Sequence, residues 1–418
     1  MIRALYTLGV KAYSLGIRLA SPWNAKAKAW IKGRSAGFPA FPEKKPGEFR
    51  VWFHCASLGE FEQGRPVMEA LLHTHPHLSL IVTFFSPSGF EVRKNYAPAL
   101  RVLYLPLDTP YNARRFVRES GVDMAVFVKY EFWYNYLNAL YLASVPTFFV
   151  SALFRPSQVF FKSWGKWFIA HLHQAAQIFV QDESSLKLCQ QAGLQNITLS
   201  GDTRFDRVMA VAGVADPFPE IRAFIGGRPC VVAGSTWPGD EQVLAAAWKK
   251  MQEVVFILAP HDIRQERIEE IQRYFGEKGL LFSYLKAASE GRLIIIDNVG
   301  MLSMLYAYAD VCWVGGAFDS GLHNILEAAA HGKPVLFGPH TDKFPEAGAL
   351  IEAGGGLQVG SMEQATYLLH SLINKPEEAR RAGLCSKQFI SANQGATAII
   401  TAHLAGYILN KQKVLRNG

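Results

Sequence analysis

The chain has 418 residues, half of them hydrophobic and 19% charged, which is more than one ordinary domain needs and enough to bury two sizeable cores. Its five cysteines, Cys55, Cys189, Cys230, Cys312 and Cys385, stand singly with no CxxC pair; this excludes a small disulfide-stapled domain and suits a reducing compartment. The net charge of +8 suits an anionic partner: nucleic acid, an acidic membrane surface or a phosphorylated substrate.

Residues 1–42 carry Arg3, Lys11, Arg18, Lys26, Lys28, Lys32 and Arg34 and no acid, so the excess charge begins as a basic arm on an apolar background. On a helix turning about 100° per residue, Arg3, Lys11 and Arg18 fall within roughly 80° of one another. Ile2, Leu5, Leu8, Val10, Leu15, Ile17 and Leu19 then lie mostly elsewhere, which predicts an interfacial amphipathic helix. A bilayer span takes about 20 apolar residues, and the longest uncharged run within residues 1–20 is Ala4 to Val10. A short inserted anchor and an ordinary packing helix are the competing readings.

The Pro- and Gly-rich segment at 38–49 ends the arm, and a folded domain is expected from about Arg50. Strand-like runs follow at 50–57, 78–85, 101–107, 124–130, 147–152 and 177–182, most of them separated by helix-length sequence. After a Gly- and Pro-rich stretch the alternation restarts at 229–235, 254–260, 293–297, 311–316 and 334–338. Continuous apolar strands separated by helices indicate parallel sheets covered on both faces, hence two doubly wound domains. Ligands of such sheets sit at the carboxyl ends of the strands, and two such domains can present those ends across a cleft.

Several strand ends could carry chemistry. The first leads into ASLGE (56–60), where Ser57, Gly59 and the next amides would make an anion-receptive helix start. Glu60 at this junction is either a cleft carboxylate or a helix-dipole residue. Glu131 closes a strand within aromatic sequence, either as a second site carboxylate or as a surface partner of Lys129. Residues 152–168 interleave Arg155, Lys162 and Lys166 with aromatics, a pattern for phosphates and acyl chains, for a core helix with lysines reaching outward, or for single-stranded nucleic acid.

In the second half Gly234, Ser235 and Thr236 come directly after a strand, where bare amides can hold a phosphate, though the P-loop Lys and the GxGxxG spacing are missing. His261 and Arg264 follow the next strand as anion contacts or plain surface charge. The densest cluster is 309–340: a strand, a glycine turn, a loop through Gly321, then a helix from about Asn324, with Glu327 one turn in and placed to accept from two ribose hydroxyls. No Asp-x-Asp occurs among the aspartates and no HxxxH sits on a plausible site helix, so neither metal nor cofactor is expected.

The ordered motifs ASLGE, SPSGFE (86–91), YEFWYN (130–135), GDTRFD (201–206), AGSTWPGDE (233–241), ADVCWVGGAF (309–318), HNILEAA (323–329) and GKPVLFGPH (332–340) resemble the bacterial Kdo transferase family over nearly the whole chain from about residue 50. The chain departs from the family pattern at Pro260, where a basic residue is common, at Arg204, where Lys is common, at Leu302–Ser303 and in HNILEAA.

The resemblance implies a GT-B fold: two Rossmann-like doubly wound domains facing across a cleft, with the N-terminal amphipathic helix on the membrane. The expected divisions are an arm at 1–42, an acceptor domain at 43–210, a CMP-sugar domain at 211–390 and a C-terminal helix at 391–418 packing back on the first domain. The implied reaction is inverting, metal-independent transfer of Kdo from CMP-Kdo to a tetraacylated lipid A precursor, lipid IVA. It belongs to lipopolysaccharide biosynthesis at the cytoplasmic face of the inner membrane, with an anionic membrane surface as partner and no nucleic acid.

Carried onto matching positions, Glu60 would be the general base and Glu131 the second site carboxylate. Gly234, Ser235, Thr236, His261 and Asn324 would meet the CMP phosphate, Leu302 would flank the cytosine and Glu327 would hold the ribose; Arg155, Lys162 and Lys166 would face acceptor or membrane. The competing expectations are a GT-B transferase using a UDP-sugar and a lipid acceptor, and a non-catalytic nucleotide-sugar or lipid sensor.

Overall fold

The computed structural model describes residues 1–35, 37–213, 216–286, 289–319 and 321–417, with side chains described up to 413 in the last helix. It divides into two compact units, Met1–Asp206 together with Gln394–Gly418, and Arg207–Asn393.

The first unit is built on seven parallel strands: β1 (Phe49–Cys55), β2 (Leu78–Phe84), β3 (Ala99–Tyr104), β4 (Met124–Val128), β5 (Thr147–Ala152), β6 (Gln177–Val180) and β7 (Ile197–Leu199). They lie in the order β3-β2-β1-β4-β5-β6-β7, so the chain reverses its direction of travel across the sheet between β1 and β4. Every residue of β1, β4 and β5 is buried, as strands covered on both faces must be. Val51, Phe53 and Cys55 point into one core, and Trp52 of the same strand points into the other.

Helices α1 (Ile2–Ala20) and α2 (Ala25–Arg34) form the basic arm, which groups with this first unit. Contacts with the first sheet's helices and loops set the orientation of α1. Its polar residues face the protein: Arg3 Nε donates to Asn135 Oδ1 at 2.9 Å and the Tyr6 hydroxyl to Asp108 at 2.6 Å. Val10 and Ile17 lie half-buried beside them, whereas Leu5, Leu8, Leu15 and Leu19 are 57–66% exposed on the opposite side. The reason is the buried Asp108, whose need for donors outweighs what the leucines would gain by burial. Among the described residues no helix is long and apolar enough to cross a membrane.

The second unit repeats the plan with β8 (Cys230–Thr236), β9 (Val255–Pro260), β10 (Leu280–Leu281), β11 (Leu293–Ile295), β12 (Val311–Val314), β13 (Val335–Phe337) and β14 (Gly356–Gln358). Their order is β10-β11-β9-β8-β12-β13-β14, all parallel, with the reversal between β8 and β12. β7, β10 and β14, which the apolar pattern does not announce, are two or three residues long and each lies at a sheet edge. Such strands have few buried positions to leave a pattern. The terminal helix Ala396–Asn417 places Ile400, Leu404 and Ile408 in the core of the first unit beside Phe148 and Phe179.

Candidate functional site

Helix α3 (Leu58–Thr74) begins directly after β1, and its start is already occupied. The Ser57 side chain accepts from the Gly59 amide at 3.2 Å, while Glu60 Oε2 accepts from the Ser57 amide at 3.1 Å and from the Ser57 hydroxyl. That reciprocal arrangement is a capping box, so the amides expected to await an anion are bonded within the turn. Glu60 nevertheless keeps 12% of its side chain exposed, and its second oxygen lies 3.8 Å from Lys129 Nζ. The lysine thus partners Glu60 and not the neighbouring Glu131.

β4 ends at Val128, and Lys129 takes up a left-handed backbone with φ of +68°. Such a conformation costs a non-glycine residue about 1–3 kcal/mol and is kept where surroundings enforce it. It turns Glu131 off the strand. The Glu131 side chain, 15% exposed, takes the Trp133 indole N–H on Oε2 at 3.1 Å and has His54 Nε2 at 3.6 Å. Glu60 and Glu131, 71 positions apart, therefore both follow the two strands that flank the reversal point of the first sheet.

The 152–168 segment resolves into two populations. Phe154 and Phe160 are buried, Phe160 standing 4.6 Å from the Phe132 ring, and Phe161, Trp167 and Phe168 pack against the same core. Arg155, Lys162 and Lys166 are exposed, with Trp164 at 64%. The aromatics other than Trp164 are core and the cations are surface.

In the second unit β8 runs on through Thr236, two residues further than a turn at Gly234 would allow, and Ser235 adopts φ of +52°. A Cβ at position 234 would come within 2.1 Å of the Tyr306 hydroxyl and 2.4 Å of Leu302, so glycine is what lets Leu302 and Tyr306 pack over the strand. A Cβ at 315 would likewise meet the Ser235 carbonyl oxygen at 2.5 Å; the end of β12 and the end of β8 press together there. The Thr236 hydroxyl points inward and donates to the buried Glu241 at 3.0 Å, with Arg267 on the other oxygen, so it is not presented to a phosphate.

Around that junction His261 joins Asp240, Trp237 and His323, three residues that sequence reasoning did not single out. Asp240 accepts from the amides of Gly316 at 2.7 Å and Trp237 at 3.0 Å and from the Trp313 indole at 3.2 Å. Burial still pushes its carboxyl up to about 6. Trp237 stacks on His261 at 4.7 Å, and its N–H donates to His323 Nε2 at 2.9 Å. Burial, with His261 beside it, pushes His323 down to about 4, so it is neutral and can accept that bond. Asp240 is the third helical residue after the Trp237 cap in a Trp-Pro-Gly-Asp helix start and is legible as such; the histidine–tryptophan stack joins residues 86 positions apart and is not.

The helix expected near Asn324 starts at Ile325 (Ile325–Ala330), with Asn324 as its cap accepting from the Leu326 amide. Asn324 Nδ2 donates to Glu327 Oε1 at 3.0 Å, which sets that carboxylate beside the helix start. Gly234, Ser235, Leu302, His261, Asn324 and Glu327 are thus gathered around the carboxyl ends of β8, β9 and β12, at the second reversal point. Arg264 is taken up by Asp262, as the plain surface reading has it.

Residues 28–207 match a family model described as 3-deoxy-D-manno-octulosonic-acid transferase (kdotransferase). The 3-deoxy-D-manno-octulosonic acid transferase of Bordetella pertussis is 29% identical over 433 aligned positions, covering 95% of this chain and 97% of its own. That of Haemophilus influenzae is 28% identical over 375, covering 86% and 87%. Among solved structures, UDP-GlcNAc 2-epimerase from Neisseria meningitidis aligns with a TM-score of 0.62 at 16% identity, over 86% of this chain and all 100% of that one. A glycosyltransferase from Rickettsia africae aligns with a TM-score of 0.57 at 12% identity, over 89% and 100%. These structural likenesses are of fold, and two seven-stranded Rossmann-like sheets of this topology are the GT-B class. On its motifs, fold and relatives together, the chain is a glycosyltransferase, similar over most of its length to the Kdo transferases.

Proposed function

We propose that this chain transfers Kdo from CMP-Kdo to tetraacylated lipid A disaccharide, lipid IVA, with inversion and without a metal, in lipopolysaccharide biosynthesis at the cytoplasmic face of the inner membrane. The observation that carries the reading is the pair of half-buried carboxylates, Glu60 and Glu131, at the reversal point of the first sheet in a chain similar to the Kdo transferases.

Glu60 removes the proton from the acceptor hydroxyl as its oxygen attacks the anomeric carbon of the donor and CMP leaves with the bonding electrons. The capping box holds Oε2, which leaves Oε1, near Lys129, as the basic oxygen. Glu131 aligns the reacting sugars. In the second unit the amides around Ser235 and Asn324, with His261, take the phosphate; Leu302 lies along the base, and Glu327 accepts from the ribose hydroxyls. The absence of Asp-x-Asp from the sequence fits phosphate recognition by amides and side chains.

Membrane attachment is assigned to the outward leucines of α1, with Lys11 and Arg18 beside them for anionic headgroups and Trp23, 87% exposed, just past its end. The exposed Arg155, Lys162 and Lys166 meet the same surface or the acceptor's phosphates.

The test is a transfer assay in which CMP-Kdo is generated in place and lipid IVA is supplied without added metal. Glu60→Gln is the informative variant, because glutamine completes a capping box as well as glutamate does but cannot take a proton. A mass gain of one or more Kdo in the wild type, reduced about 100- to 10,000-fold in Glu60→Gln, is expected. No gain with folded protein would rule out this donor and acceptor and turn attention to UDP-sugars.

A further inference from the structure

A buried polar string beneath the first reversal point has no part in the chemistry described above. His54, the penultimate residue of β1, has no solvent exposure. Its Nδ1 lies 2.8 Å from Thr83 Oγ1, on the residue registered opposite it in β2, and that hydroxyl also accepts from the Trp52 indole at 2.7 Å. Its Nε2 lies 2.8 Å from the Trp133 indole nitrogen, whose proton is shared with Glu131 Oε2 at 3.1 Å. Trp52, Phe127 and Trp133 surround the ring.

An indole nitrogen can only donate. Two protonated nitrogens cannot face each other at 2.8 Å, so His54 Nε2 presents its lone pair to Trp133 and the ring proton sits on Nδ1, donated to Thr83. Thr83 then receives two donors, and every polar atom of the imidazole is satisfied. The rings packed around it are aromatic, and phenylalanine would fill the place without the desolvation cost of a buried histidine. What histidine adds is an acceptor at the Nε2 position that fixes the indole, and the indole's proton is the one that reaches Glu131.

We propose that His54 is a positioning residue for Glu131: as the neutral Nδ1–H tautomer, braced by Thr83, it orients the Trp133 indole so that its N–H holds the carboxylate in place at the reversal point. This rests on the role given to Glu131 above. Its signature is a loss of turnover with substrate affinity retained, because the carboxylate is misplaced and not removed; a misplacement of about 1 Å can cost on the order of 100-fold.

The experiment combines kinetics with spectra that need no substrate. In the full-length chain His54→Phe is expected to lower kcat by about 10- to 100-fold while KM for either substrate stays within about threefold. His54→Gln, whose amide oxygen reaches the Nε2 position, should recover at least about tenfold of that loss. Trp133→Phe should give the same kcat deficit, and adding it to His54→Phe should cost little more, as one chain of contacts requires; this arm stands if His54→Phe does not fold. With 15N-labelled histidine, the resonances missing from His54→Gln should show an unprotonated Nε2 at neutral pH, and the Trp133 indole proton should shift in the same variant. A folded His54→Phe or Trp133→Phe with wild-type kcat overturns the inference, as does a protonated Nε2. The spectra decide the hydrogen-bond arrangement even where the wild-type chain transfers no Kdo, which is how failure of this inference is told from failure of the proposed reaction.

Discussion

Glu60 serves two structures at once, and this is why its substitution needs care. One carboxylate oxygen closes the turn that starts α3, and the other lies near Lys129 and is the one given the proton in the proposed reaction. Asp240 is a second residue whose state matters, because it ties the amides of Trp237 and Gly316 together at the second reversal point. Burial raises its carboxyl to about 6, so the folded chain holds this proton at a pH where the unfolded chain has released it. The stabilisation from this group is therefore complete below about pH 4 and is lost as pH rises through about 6. Relative to Asp240→Asn, the wild type should lose on the order of 2–3 kcal/mol between pH 4 and 7. Urea denaturation of both proteins at several pH values measures it; a difference that is flat or grows with pH would contradict the assignment.

At the scale of the element, α1 is held by its polar face and offers its apolar one. Arg3, Tyr6 and Thr7 are committed to Asn135 and Asp108, so the leucine side has no partner within the first unit. Charging that side, as in Leu8→Glu with Leu19→Glu, should abolish co-sedimentation with vesicles containing anionic lipid. Stability should change by no more than about 0.5 kcal/mol per exposed site; retained binding would move the membrane contact elsewhere. The terminal helix is the opposite case. Leu404 lies at 0% exposure among the side chains of the first sheet, and Leu404→Ala should cost about 2–5 kcal/mol of that unit's stability by chemical denaturation.

Over the whole molecule a seven-stranded parallel sheet is built twice, each time with candidate site residues at the point where strand order reverses beside the first strand. In the proposed reaction the chemistry is divided: Glu60 and Glu131 lie in the first unit and the glycine turns with Asn324 and Glu327 in the second. A nucleotide recognised by the second unit should stabilise it by mass action, by about 2.7 kcal/mol at 100 times Kd. CMP is expected to raise the melting temperature and UDP to have less effect, with the CMP shift reduced in Glu327→Ala. A larger shift with UDP would reassign the donor.

Much of this was legible along the chain. Runs such as MAVFV and FILAP are apolar at every position because both faces of their strands are covered, and that alone announces two parallel sheets. Glycine turns and the carboxylates at strand ends were visible for the same reason: they interrupt an apolar pattern at places where a ligand can sit. The direction α1 faces was not, because a helical wheel ranks hydrophobicity and has no knowledge of a buried Asp108 over a hundred positions away that needs a donor. Nor could local sequence pair Lys129 with Glu60, turn Thr236 inward, or join His54 to Glu131 through Trp133, since each depends on which strands become neighbours. Sequence by itself determined the elements, their covering and the family resemblance; only the tertiary structure decided which side chains meet, because hydrogen-bond partners are chosen by distance in space and by the cost of leaving a buried polar group alone.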